Sequence, residues 1–171
     1  MLTGLALFYV GAVLILNGLW MLGRISDREI ALINFFAGGV TLLVSLKLAF
    51  GTDADAGSIK TAALSLLFSF TYLWVAINRY NGADGRGLGW FSLFVAITAV
   101  PVAIETISGA RTGTELWMGV SWAAWGVLWL LFFLLLALHK PLGRVTAWTS
   151  IVQGVLTGWV PGYLLLTGVM R

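Results

Sequence analysis

Cysteine is absent from the 171 residues, and histidine occurs once, at His139. The first absence excludes disulfides, thiolate metal sites and thiol nucleophiles. The second leaves too few imidazoles to build a metal site. Charge is equally scarce. Lys, Arg, Asp and Glu make up 10% of the chain, against about a quarter in an ordinary soluble domain. The few cations are scattered, so there is no basic face for nucleic acid. No base stands beside a nucleophile, and no apolar stretch holds paired carboxylates. The glycines of NGADGRGLG, at 81–89, fit neither a dinucleotide-binding nor a phosphate-loop pattern. An enzyme is therefore not expected, and neither a cofactor nor a metal is called for.

What is there is apolar: 60% of the residues are hydrophobic. Six stretches, roughly 3–23, 30–50, 60–79, 88–108, 115–138 and 145–168, approach the ~20 residues that a helix needs to cross ~30 Å of hydrocarbon. Alternating ten-residue strands of a membrane barrel are missing. Residues 1–171 thus read as one all-α domain of six transmembrane helices. No basic region precedes Met1–Leu22, so the first stretch reads as a permanent span and not a signal peptide. Orientation follows the cations. Arg24, Arg28, Arg79, Arg86, Lys140 and Arg144 fall on one side, Lys47, Lys60, Arg111 and Arg171 on the other. The richer side is cytoplasmic by the positive-inside rule, which places both termini outside. Trp20, Trp90, Trp117 and Trp148, near span ends, read as interfacial belt residues.

The fifth stretch carries the most informative pattern. Trp122, Trp125 and Trp129 stand at i, i+3 and i+7, within a ~60° arc of one helix face. A row of indoles offers flat π faces and N–H donors but no charge, which suits a small, neutral, planar, polar solute. Packing is the competing reading. Leu7, Val10 and Leu14 repeat the spacing in the first stretch, and Asn17 continues that face. A buried amide needs a partner, because leaving it unpaired in hydrocarbon costs roughly 4–8 kcal/mol. Phe70 and Trp74 form an i, i+4 aromatic pair in the third stretch. Pro101 and Pro161 are expected to kink their helices. Gly154, Gly158 and Gly162 form a doubled GxxxG for close helix contact, within the chain or between subunits. Gln153 is a further polar outlier, and Glu105 is expected near the outer interface, solvated.

Together the segments resemble the AmiS/UreI family of urea and short-chain amide channels. The carriers are LALFYVGAVLILNG at 5–18, NFFAGG at 34–39, FSFTYLWVAIN at 68–78, WFSLFVAI at 90–97, WAAWGVLW at 122–129, PLGRVTAW at 141–148 and QGVLTGWVPGY at 153–163. The resemblance implies a bacterial inner-membrane protein, six helices per protomer, a pore in each protomer and a homo-hexameric ring. It also implies a substrate path lined by Leu7, Val10, Leu14, Asn17, Phe70, Trp74, Trp122, Trp125, Trp129 and Gln153. Functional coupling to a cytoplasmic amidase or urease is a further implied partnership. The urea channels carry Tyr where Trp74 stands and Glu where Gln153 stands, which suits an amide-facing relative. Acid-gated members have long, His-rich outer loops, whereas Gly51–Ile59 and Gly109–Thr114 are short and contain no His. The resulting expectation is a passive pore for small neutral amides, urea included, that protons do not gate. The alternatives are a gated or coupled amide or urea transporter and a non-conducting membrane partner of a cytoplasmic amidase.

Overall fold

The structure, a computed structural model, describes residues 1–170; Arg171, counted above on the outer side, lies outside them. The helices are α1 (Leu2–Met21), α2 (Asp27–Phe50), α3 (Ala56–Asn81), α4 (Arg86–Gly109), α5 (Gly113–Leu136), α6 (Gly143–Gln153) and α7 (Val160–Leu166). A π-helical stretch, Gly154–Trp159, joins α6 to α7, so these three make one sixth span. Among the described residues, six helical segments are long and apolar enough to cross a bilayer.

Several helices start earlier than the apolar runs suggest, and their caps explain it. Ser26 accepts the Glu29 N–H at the start of α2. Asp55 and Ser58 form a capping box on α3, as Thr112 and Glu115 do on α5. Each satisfies backbone donors that a helix start otherwise leaves open, so polar residues extend the helices beyond the hydrophobic spans.

α2 packs along α3 and α4 along α5 as antiparallel hairpins, while α1 lies against the sixth span. The doubled GxxxG makes that last contact, inside one chain. A Cβ at Gly158 would stand 2.5 Å from the Gly11 Cα, and one at Gly162 would stand 2.5 Å from the Phe8 N. Gly11 answers from the other side, its imagined Cβ lying 2.1 Å from the Trp159 N. Backbone touches backbone here, which only glycine permits.

The π stretch has a local cause. Pro161 has no N–H, and its ring would clash with the carbonyl four residues back in an α-helix. Winding the preceding turn at i→i+5 relieves the clash but leaves the Leu156 carbonyl without the N–H that residue 161 would supply. The Trp117 indole donates to that carbonyl at 3.0 Å. Trp117, expected as a belt residue, is thus an anchor for the sixth span. α4, by contrast, runs through Pro101 unbroken.

Candidate functional site

With the termini at the top, two cavities follow one another down the bundle. The upper, about 250 Å³, is walled by α1 to α5, with Leu7, Val10, Leu64, Phe68, Trp122 and Trp125 among its lining. The lower, about 100 Å³, lies between α1, α3, α4 and α5 and includes Leu14, Asn17, Thr71, Tyr72, Asn78 and Trp129. Phe68 and Trp125 line both, so these two rings form the neck. Water occupies roughly 30 Å³ in the liquid; each space therefore accommodates a solute of a few heavy atoms.

The neck is an aromatic cluster. The Phe68 centroid lies 4.8 Å from that of Trp125 and 4.7 Å from that of Trp129, both edge-to-face. Trp122 closes the group at 5.8 Å from Phe68 and 5.2 Å from Trp125. Edge-to-face pairs contribute about 0.5–1.5 kcal/mol each beyond the area they bury. The Trp125 indole donates to Thr157 Oγ1 at 2.8 Å, and Thr157 passes the bond on to the Gln153 carbonyl. The Trp129 indole donates to Thr71 Oγ1 at 3.3 Å. Hydrogen bonds to α3 and to the π stretch thereby fix the two indoles, and their faces remain as the lining.

The α1 stripe divides between the cavities: Leu7 and Val10 above, Leu14 and Asn17 below. Asn17 is also an interhelical partner. It exchanges side-chain bonds with Asn34 at 3.1 and 2.6 Å, and Asn34 gives its other hydrogen to the Ile30 carbonyl at 2.9 Å. Gln153 lines neither cavity. Its Nε2 donates to the Ala124 carbonyl at 2.8 Å, while its Oε1 and the Ser121 Oγ are buried without a described partner.

On α3 the geometry corrects the sequence reading. Phe70 and Trp74 line neither cavity and are 46% and 38% exposed. Trp74 leans on Phe91, with ring centroids 5.7 Å apart. The residues that face inward are Phe68, Thr71, Tyr72, Val75 and Asn78, a stripe at i, i+3, i+4, i+7 and i+10. The larger ring at 74 therefore sits outside the cavities.

Charge is confined to the ends. At the upper rim, Lys60 Nζ meets Glu105 Oε1 at 2.6 Å, with both side chains well exposed. Glu105 is solvated and paired there. At the lower mouth the Arg79 guanidinium lies 5.3 Å above the Trp20 ring, 3.7 Å from Asp27 Oδ2, and donates to the Ala83 carbonyl at 3.1 Å. Trp20 donates to Asp27 Oδ1 at 2.7 Å and lines the lower cavity; it is part of the mouth and more than a belt residue. Between these ends the described lining holds no carboxylate, ammonium, guanidinium or imidazole.

Two cavities in file through a six-span membrane bundle define a membrane transport protein. More narrowly, the chain belongs to the AmiS/UreI family of transporters, whose profile matches residues 2–169. It is 45% identical to a Mycolicibacterium smegmatis protein described as a putative amidate substrates transporter, across 96% of this chain and 76% of that one. It is 37% identical to the acid-activated urea channel of Helicobacter pylori, across 96% and 97% of the two. The urea channel's closed-state cryo-EM structure superposes with a TM-score of 0.87 at 38% identity, covering 98% of this chain and 99% of that one. Its crystal structure gives 0.85 at 39% identity over the whole of both chains. The family is one of channels and transporters, not enzymes.

Proposed function

We propose that the two cavities form a passive path for small neutral amides, with short-chain aliphatic amides as the main cargo and urea as a co-substrate. The observation that carries this is the neck: Phe68 and Trp125 in a largely apolar lining, with uncharged polar groups such as Asn17 and Thr71 nearby and the charges, Lys60, Glu105 and Arg79, only at the two ends. An amide entering a bilayer loses its water, and that loss is the barrier. Indole faces and a few hydrogen-bonding groups offset part of it. Each contact is weak, on the order of 1 kcal/mol, so the solute leaves as readily as it enters. Ions find nothing to replace their hydration. Rotation of the Phe68 ring opens the neck to each passing solute.

The upper side is external in this reading, with both termini there, and a cytoplasmic amidase or urease consumes what arrives. The ring is a homo-hexamer in which each protomer holds its own path. Gly154, Gly158 and Gly162 are already spent on α1, so the ring contacts come from the apolar faces left exposed on other helices. Mass measurement of the detergent-purified particle is expected to give six protomers; a stable monomer that conducts would remove the ring and keep the path.

Protons do not gate this path. Alignment to the acid-activated relative runs over 191 positions, more than the 171 residues here, so that relative carries insertions that this chain lacks. Outside the spans, the Ser58 backbone N–H, with help from its hydroxyl, holds the Asp55 carboxyl below the usual carboxylate range. The Arg86 backbone N–H does the same for Asp84, with the Arg86 side chain behind it. A lowered carboxyl pKa means these groups titrate below about pH 4 and stay ionised above it. His is the usual switch between about pH 5 and 8, and His139 lies beyond α5, on the cytoplasmic side in this reading. Stopped-flow uptake into proteoliposomes is expected to show acetamide and urea entering faster than glycerol, with rates nearly flat between external pH of about 7.5 and 5.5. A several-fold rise on acidification overturns the ungated reading; equal rates for all three solutes overturn the amide reading.

A further inference from the structure

The polar groups around the lower cavity are almost all committed to the protein. Asn17 and Asn34 exchange a pair of side-chain hydrogen bonds. Thr71 donates to the Leu67 carbonyl at 2.7 Å, and Ser92 donates to the Leu88 carbonyl at 2.8 Å. The indoles of Trp20, Trp125 and Trp129 each have an acceptor. Asn78 is different. It is only 5% exposed and lines the cavity, yet its side-chain amide has no hydrogen-bond partner among the described residues. The Tyr72 hydroxyl, six residues or about 9 Å higher along α3, is also without one. Among the described residues, the fully enclosed unpaired polar atoms are the Ser121 Oγ and the Gln153 Oε1; those of Asn78 are not among them and open onto the cavity, where a solute can reach them.

We propose that the Asn78 amide is a recognition point for the cargo at the lower end of the path, which rests on the amide-path reading above. Asn presents one carbonyl acceptor and two N–H donors. A primary amide or urea presents the complementary set on one edge, so the two can pair through two antiparallel N–H···O bonds. Position matters as much as chemistry. Asn78 lines the lower cavity one residue before Arg79 of the mouth, with Leu128, Phe132 and Leu135 of α5 in the same lining. A solute that has left the aromatic neck and passed Tyr72 meets there an uncommitted amide before the charged mouth. The pairing lowers the exit barrier for molecules that carry both an N–H and a carbonyl, and adds nothing for those that do not.

The test uses full-length protein in liposomes, with acetamide and urea as probes and Trp125→Ala as a parallel arm. Asn78→Leu keeps the volume and removes the hydrogen bonds; it is expected to slow both probes about tenfold, the upper range for one hydrogen-bonding group. Asn78→Gln, which restores the amide, is expected to recover much of the rate, with melting temperatures of both variants at the wild-type value. A purely structural Asn78 would lower the melting temperature of Asn78→Leu and give no such rescue. Should Asn78→Leu fail to fold, Asn78→Ala carries the same expectation, since it only removes atoms that face the void. Wild-type rates in the Asn78 variants, with transport altered in Trp125→Ala, overturn this inference and leave the path reading intact. Wild-type behaviour in both arms overturns the two together.

Discussion

Replacing Trp125 with alanine is expected to collapse discrimination between acetamide and glycerol, raising glycerol permeability on the order of tenfold, equivalent to about 1.4 kcal/mol of barrier. Trp125 is the one indole that lines both cavities, and with Phe68 it makes the neck. Without it the upper and lower spaces merge, and size ceases to exclude a non-planar polyol. Trp129→Ala is expected to act in the same direction, because Trp129 buttresses Phe68 from below. Trp148→Ala is the control: this side chain is 55% exposed and lines neither cavity, so selectivity is expected to remain at the wild-type value. Trp117 does not serve as a control, since its indole holds the Leu156 carbonyl. Removing a core indole costs about 3–5 kcal/mol of stability, so rates are compared per folded protein. Equal changes in all three variants contradict the assignment of the neck.

Gly11→Ala is expected to abolish most of the folded protein. The added methyl would stand 2.1 Å from the Trp159 N and 2.6 Å from its Cα. Overpacking commonly costs about 1–3 kcal/mol where side chains can yield; here the obstacle is backbone, so about 3 kcal/mol or more is expected. Gly158→Ala meets Gly11 from the opposite side, at 2.5 Å, and shares the outcome. Gly113→Ala, with nothing within 4 Å of the added atom, is expected to be neutral to within about 0.5 kcal/mol. Thermal denaturation in detergent, followed by size-exclusion profile, separates the three. A Gly11→Ala protein as stable as Gly113→Ala would contradict the α1 contact with the sixth span.

These substitutions also mark what could be read in the chain beforehand. The indole row of α5 and the Leu7, Val10, Leu14, Asn17 face of α1 follow from helical spacing alone, and each of these residues lines a cavity. The inward face of α3 did not follow. Phe68–Tyr72 and Phe70–Trp74 are both aromatic pairs at i, i+4, offset by two residues. That offset turns one pair about 200° from the other. Spacing cannot choose between them; packing does, because Phe68 fits among three indoles while the one aromatic ring beside Trp74 is Phe91. The signal that would have favoured Phe68 was the polar continuation of its stripe, Thr71 and Asn78. Phe70's own continuation, Leu73 and Ile77, is wholly apolar. The π stretch was hidden for another reason. Pro161 advertised a kink, but the carbonyl that the π turn leaves open is answered by Trp117, 44 residues before Pro161 in the chain. The partner of the doubled GxxxG was likewise a tertiary fact, fixed by Gly11 on α1.

The central claim is passive movement of a neutral amide between the two cavities. It is tested most directly by stopped-flow acetamide influx into proteoliposomes whose ion and proton gradients have been collapsed with ionophores. The account predicts influx well above that of empty liposomes, rising in proportion to the acetamide gradient and ending at equal concentrations on both sides. Influx that vanishes with the gradients, or that drives acetamide above its external concentration when they are restored, would contradict it.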